Sequence, residues 1–309
     1  GIVDSLESVT HSYCTMEFFV RREQYYWPVE QLGLKPAEVQ EFGRLCIENN
    51  LLSKRKIIEL VNNGSVDGFT DPRLLTIRGL RRRGFTPEIL KTIISHCSIE
   101  RHETTIQRRL IDYHLREVLN ERAPRMFAVI DPLEVTIVDH LNDRDCIHPE
   151  GISDNSHLTV LSDKIYIERT DFREIDEKSY YRLAPEKVVR LRYADFIKYV
   201  SHTSNNGIVD QLFVKNVVPT QPKKIKGIIH WVSEKDSLPA KFELYDDLLS
   251  DNKYNSNSKV TKNGYIEKSV IKDLSLTYQF ERLGYYKFDR MEDGIPVFIR
   301  VVGLVDKYN

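Results

Sequence analysis

Three stretches of this sequence carry residue types that could do chemistry. Leu51-Leu52-Ser53-Lys54-Arg55-Lys56 sets a hydroxyl and three cations at the start of a helical pattern. Free backbone N–H groups and mobile ammonium charge there could clamp a phosphate, although a short basic run is more often a solvated face. Arg78-Gly-Leu-Arg81-Arg82-Arg83-Gly84 ends another helical pattern. Its cations suit the helix dipole, yet three consecutive arginines cannot share one face, and they could span a nucleic-acid backbone groove. Arg190 and Arg192 flank Leu191 on a strand pattern, which places both on one face. That face is either solvated or presents two guanidinium groups to RNA, with Tyr180, Tyr181 and Tyr193 near enough in sequence to stack on bases.

Other candidates fail on spacing. His11-Ser12-Tyr13-Cys14-Thr15 holds an imidazole, hydroxyls and a thiol. His and Cys three apart on a strand point to opposite faces, so a nucleophile pair does not form. Asp4 and Glu17 make no convincing carboxylate pair, and the histidines show no metal-ligand spacing. Cys14, Cys46, Cys97 and Cys146 are too dispersed for a zinc site or a disulfide framework, and reduced thiols are expected.

The elements that must position these residues change character near residue 120. Before it, helix signals dominate. Pro36 with Val39, Phe42, Cys46 and Ile47 predicts a helix, as does Ser53 capping a run through Ile57, Leu60 and Val61. Asp71-Pro72 opens a pattern that runs to Arg83 with Gly84 as its stop. Thr86-Pro87-Glu88 starts another, and Ile106, Leu110, Leu115, Val118 and Leu119 mark a last one. After residue 120, period-two patterns predict strands at 127–130, 135–138, 164–167, 188–192 and 227–231. Further strands fit 240–245, 278–282, 285–289 and 297–302, and Asp251–Ser258 reads as the most loop-like stretch. Many short strands suggest one or two barrels or sandwiches.

Composition sets the outer bounds. The chain has 309 residues, enough for two or three domains, and 41% hydrophobic with 29% charged residues describes a globular protein. Forty-five basic residues against 46 acidic argue against indiscriminate coating of nucleic acid, but not against a local RNA site. No apolar run is long enough to span a membrane, and Gly1-Ile2-Val3-Asp4 shows neither part of a signal peptide.

Taken in order, these segments resemble the glutaminyl-tRNA synthetases. The resemblance rests on Thr10–Phe18, Glu41-Phe42-Gly43-Arg44-Leu45, Leu52-Ser53-Lys54-Arg55-Lys56, Asp71-Pro72-Arg73 and Gly79–Gly84. It continues through Leu119–Arg125, Glu168–Phe172, Val189–Arg192, Ile229–Ser233 and Gln279-Phe280-Glu281-Arg282, and covers nearly the whole chain. The His-Ile-Gly-His-type motif of the family's first catalytic half does not occur. The resemblance therefore implies the C-terminal portion of a class I enzyme, an α+β multidomain architecture. Residues 1–50 would be the end of a Rossmann-type catalytic fold, and 51–121 a helical connector carrying a Lys-Met-Ser-Lys-Ser-like loop. Residues 122–140 and 225–309 would form a proximal anticodon-binding β-barrel, and 141–224 a distal one.

The resemblance also implies roles for single residues. Lys54 and Ser53 match the catalytic loop, with Leu52 where Met is usual, and Lys54 is expected to stabilise phosphate charge as glutamine attacks ATP. Arg44 and Leu45 match positions beside the adenine, and Arg55 belongs to the same ATP-binding set. Cys14 stands where the related glutamyl enzymes usually carry Arg, and a neutral thiol suits an amide. Arg101 and His102 match acceptor-stem contacts. Arg125 and Gln279 match residues that hold the middle U of the anticodon, Arg182 the third base, Arg190 and Arg192 the first, and Arg282 a backbone contact. Val39, Val20 and Ser8 depart from the family pattern. The implied partners are tRNA(Gln), glutamine, ATP and Mg²⁺, in a monomeric cytoplasmic enzyme with no membrane contact and no metal bound by the protein itself. This chain alone is expected to bind tRNA without aminoacylating it. A eukaryotic-type glutamyl-tRNA synthetase and a non-catalytic tRNA-binding module are the rival readings. Cys14 and the context of Gln279 count against the first, and the Ser53–Lys56 motif against the second.

Overall fold

The computed structural model describes residues 1–95 and 100–304. Its helices are α1 (Ile2–Leu6), α2 (Arg22–Gln31), α3 (Lys54–Asn62), α4 (Ile77–Arg83), α5 (Pro87–Ser95) and α6 (Arg108–Arg122). Cys14, Cys46 and Cys146 are free thiols, and Cys97 lies outside the described residues. Among the described residues no helix is long and apolar enough to cross a membrane.

The N-terminal part departs from expectation at Pro36–Ile47. The residues read as a helix form two strands, Glu38–Phe42 and Leu45–Ile47. Val39 and Glu41 are buried while Glu38 and Gln40 are exposed, so period two overrides the helical spacing. Glu38–Phe42 pairs in parallel with His11–Thr15, with α2 in the crossover. Between the two strands, a Cβ on Gly43 would lie 1.8 Å from the His102 carbonyl oxygen, so no larger residue fits.

A second correction concerns Asp71-Pro72, which does not open a helix. The buried Asp71 carboxylate accepts hydrogen bonds from the backbone N–H groups of Asp67 and Arg73, at 2.8 and 2.9 Å, and holds the Arg73 guanidinium. These bonds satisfy a turn instead. Helix α4 starts later, where the Thr76 hydroxyl accepts from Gly79 N–H at 2.9 Å, and it ends at Gly84 with φ +113° as the sequence suggests. Ser53 occupies the position before α3, but its side chain makes no capping bond. Helices α5 and α6 pack through Ile89, Ile93, Ile111 and Leu115 against Val301 and Tyr285. The helical part is thereby fused to the β-rich half.

That half contains two seven-stranded, barrel-like sheets. In the first, the order is Ile228–Ile229, Val188–Leu191, Phe196–Asn205, Ile208–Val217, Pro132–Ile137, Lys164–Glu168 and Val232–Ser233. In the second it is Arg125–Met126, Thr277–Phe280, Gly284–Glu292, Ile295–Val302, Ser237–Tyr245, Lys259–Glu267 and Ala128–Ile130. Each sheet is bridged the same way: one short segment, 228–233 or 125–130, pairs by its two halves to opposite edges. Hydrogen-bonding groups that would be left open at those edges are thereby satisfied.

The strands at 132–137 and 228–233 were expected with the second sheet, but their hydrogen bonds place them in the first. Asp131, with φ +66°, turns the chain from one sheet into the other. Alternation does the rest. Met126 and Ala128 face the second core, beside Phe242, Phe280 and Phe298, while Phe127 between them faces the first, beside Trp231. The stretch 251–258, read as a loop, contributes Tyr254 and the buried Ser258 as partners of Arg73.

Candidate nucleic-acid interface

Strand register brings the first candidate pair together. Arg125 lies opposite Gln279 in a parallel pairing, and its Nε donates to the Gln279 amide oxygen at 3.3 Å. The Arg125 backbone N–H donates to the Glu150 carbonyl at 2.8 Å. Gly151 faces the same guanidinium, where a Cβ would approach Arg125 Nε to 2.6 Å. Both side chains are half-buried, a planar cation beside an amide. Their free donors and acceptors suit the Watson–Crick edge of an unstacked base.

Arg182 and Arg282 converge on one buried carboxylate. Arg282 grips Asp171 in bidentate fashion, with both contacts at 2.7 Å, and donates to His230 Nδ1 at 3.0 Å. Arg182 reaches the same carboxylate at 3.0 Å. Burial would pull the Arg282 guanidinium down, but Asp171 raises it above its ordinary value. Such pairs hold a guanidinium still while leaving other N–H groups free.

Arg190 and Arg192 do not share a face. The strand ends at Leu191, and Arg192 falls in a turn where Tyr193 has φ +60°. Arg192 ion-pairs with Glu281 of the other sheet, with its guanidinium 4.9 Å from the centre of the Tyr193 ring. Arg190 stays exposed beside the Phe196 ring, at 5.7 Å, and pairs with no carboxylate among the described residues. Tyr181 is exposed and Tyr180 buried.

Glu281 opens onto a polar network that the sequence reading missed. His148, fully buried, lies 3.3 Å from Glu281 and 3.5 Å from Glu267. His157 lies 3.2 Å from Glu267 and 3.4 Å from Glu150. The Glu267 carboxylate also accepts from Thr159 and, at 2.7 Å, from Phe127 N–H. Burial alone would raise Glu267, but hydrogen bonds from the two histidines outweigh it and push it down to about 2. For His148, the two glutamates outweigh burial and raise its pKa above the ordinary value. Bonded partners here lie up to 140 positions apart, and no spacing in the chain announces them.

The remaining candidates cluster in the N-terminal part. Gly43 N–H donates to the Glu100 carbonyl at 2.6 Å and Thr104 N–H to the Arg44 carbonyl at 3.0 Å. Arg44 and Leu45 are thus tied to the segment of Arg101 and His102. Arg44 pairs with Glu17, Arg101 is exposed, and His102 Nδ1 sits 3.4 Å from Glu100. Cys14 lies opposite Glu41, partly buried, with its thiol 3.4 Å from the Thr15 carbonyl. Ser53, Lys54 and Arg55 are exposed at the start of α3, and neither cation is ion-paired among the described residues. The three arginines closing α4 diverge: Arg81 is exposed, Arg82 grips Asp289 at 2.6 and 2.7 Å, and Arg83 is buried.

Residues 1–121 match the family model of the catalytic domain of class I tRNA synthetases (E and Q). Residues 123–216 and 228–289 match two models of the anti-codon binding domain of the same synthetases. The chain belongs to the class I tRNA synthetases of the E and Q type. Among its relatives is the glutamine–tRNA ligase of Lupinus luteus, 39% identical over 99% of this chain and 42% of the relative. That of Buchnera aphidicola subsp. Baizongia pistaciae is 38% identical over 99% of this chain and 60% of its own length. The cytoplasmic glutamine–tRNA ligase of Arabidopsis thaliana is 38% identical, over 99% and 42%. The chain spans about half the length of these relatives.

Proposed function

We propose that this chain binds a glutamine tRNA and reads its anticodon, in the service of ATP-dependent attachment of glutamine to that tRNA. The observation that carries this reading is the Arg125–Gln279 pair, an amide and a guanidinium held side by side within the region matched by the anticodon-binding models. The pair holds the middle base. Arg182 reads the third base and Arg190 with Arg192 the first, while Arg282, clamped by Asp171, takes a backbone contact. The carboxylates Asp171 and Glu281 keep three of these side chains from moving, which favours one base over another.

The helix start at Ser53, Lys54 and Arg55 fits nucleotide phosphates, because its cations are exposed and have no ion-pair partner among the described residues. ATP supplies the activation of the glutamine carboxylate there. Lys54 holds negative charge on the phosphates, Arg44 and Leu45 lie beside the adenine, and Mg²⁺ arrives with the nucleotide. Cys14 faces the glutamine amide, where a thiol gives no counter-charge to a glutamate carboxylate. That absence favours glutamine over glutamate. Arg101 and His102 meet the acceptor stem. Residues 1–50 are read as the end of a Rossmann-type fold, supported by the parallel strands around α2. Residues 51–121 are read as a helical connector. A cytoplasmic setting accords with the name of the Arabidopsis relative.

The test is the affinity of this chain for a glutamine tRNA transcript and for the same transcript with its middle anticodon U changed. The changed base should cost about 1–3 kcal/mol, and Arg125→Ala should abolish most of that difference. Equal affinity for both transcripts would overturn anticodon reading.

A further inference from the structure

A cavity of about 1010 Å³ opens where the end of α4, the start of α6 and the second sheet meet. Its carboxylates are already engaged. Asp112 and Asp247 hold Arg108, at 3.3 and 2.8 Å, and Asp131 holds Arg169 at 3.5 Å. Glu168 accepts from Ile130 N–H at 2.6 Å, Glu48 from Arg108 N–H at 3.4 Å, and Asp246 from Asp247 N–H at 2.8 Å.

Four of its cations are left over. Arg83, Arg109, Lys262 and Arg300 line the cavity, and none has a carboxylate within 4.0 Å among the described residues. Arg83 is the sharpest case. The residue is 8% exposed and, among the described residues, its Nε is buried without a hydrogen-bond partner. Burial, with Arg108 beside it, pulls Arg83 down to about 9. A buried guanidinium without a counter-ion is costly, and an anion in the cavity removes that cost. Arg300 lies near the phenol of Tyr286, a neutral group that also lines the cavity. The fifteen-residue helix α6 also begins here, at Arg108, and Gln107 before it gives no side-chain cap. Its Arg108 N–H is already bonded to Glu48, and the positive end of its dipole adds to the same field.

We propose that this cavity is a phosphate-binding site, with Arg83 and Arg300 meeting the anion and the start of α6 adding the positive end of its dipole. A phosphodiester of an RNA backbone and a free inorganic phosphate share this chemistry. The RNA form of the proposal rests on the tRNA reading above. It adds a contact that carries no sequence information, on the helical side of the second sheet, to base contacts made elsewhere.

Two probes separate the sources. Inorganic phosphate, compared with chloride at equal ionic strength, should raise the melting temperature of the chain, and Arg300→Gln should lose that rise. In a salt series, Arg300→Gln should weaken binding of the glutamine tRNA transcript about tenfold and flatten the slope of log affinity against log salt by about 0.7–0.9. It should weaken the transcript with the changed middle U equally. Arg83→Met should act in the same direction, and Arg300→Gln carries the test if that variant does not fold. Protection by phosphate without any RNA effect supports the site and assigns it to a free anion. An equal RNA effect on transcripts that the chain does not otherwise distinguish supports the site while the anticodon reading fails. No phosphate protection together with unchanged RNA affinity and slope overturns the proposal.

Discussion

Residues 1–50 and the two β-sheets use their apolar side chains in opposite ways. In the N-terminal segment the buried hydrophobic residues are Val29, Ala37 and Val39, while Leu6, Tyr13, Val20 and Trp27 are between 63% and 82% exposed. In the sheets, Phe127, Trp231, Phe242, Phe280 and Phe298 are all fully buried. The proposed base readers stand on the second kind of ground. Arg125 and Gln279 sit on strands, Arg182 and Arg192 are pinned by carboxylates between or within the sheets, as is the backbone contact Arg282, and Arg190 alone of the base readers stays exposed. The proposed nucleotide contacts, Arg44, Ser53, Lys54 and Arg55, stand on the first or at its edge. The contrast is between a rigid platform, which can discriminate bases, and exposed cations, which can follow a phosphate.

Breaking the platform should cost most. Glu267→Ala leaves His148, His157 and the Phe127 N–H without their acceptor, so urea unfolding should show a loss of about 3–5 kcal/mol. A loss under about 1 kcal/mol would mean that the network does not hold the sheets together. Next comes Arg282→Lys, which replaces a two-pronged grip on buried Asp171 by a single point charge. About 1–3 kcal/mol of stability should go, read as a lower urea midpoint.

A pH series sharpens the same point. His148 has a raised folded-state pKa, so its contribution is complete below its ordinary 6.5 and fades as pH rises through the folded value. Glu267 has a lowered one, so its contribution is present above its ordinary 4.5 and fades as pH falls towards about 2. Both are present between about 4.5 and 6.5. The stability gap between this chain and His148→Gln should therefore be larger at pH 5.5 than at pH 8.5. A gap independent of pH would show that the imidazole is not charged. The smallest effect belongs to the N-terminal segment: Trp27→Ser, at an exposed position, should shift stability by less than about 0.5 kcal/mol. A larger loss would show that the segment has more core than its burial suggests.

Legibility follows the same division. Helices α3, α5 and α6 and most strands could be read locally, because caps and periods are local properties. Residues 38–47 misled because Val39, Phe42, Cys46 and Ile47 satisfy helical spacing, while burial against His11–Thr15 obeys period two. The helix start at Asp71 misled because an Asx-type cap and a buried ion-pair turn open with the same residues.

By itself, the sequence determined the change from helices to strands near residue 120 and, through its ordered motifs, the family. Capping, periodicity and motif spacing are written within a few residues of each other. The tertiary structure alone decided which cations are free. Arg125 meets Gln279 across 154 positions, Arg282 meets Asp171 across 111, and Arg192 turns away from Arg190 to find Glu281. A carboxylate that neutralises an arginine need only be close in space, and closeness is set by strand register and by the two segments that bridge the sheets.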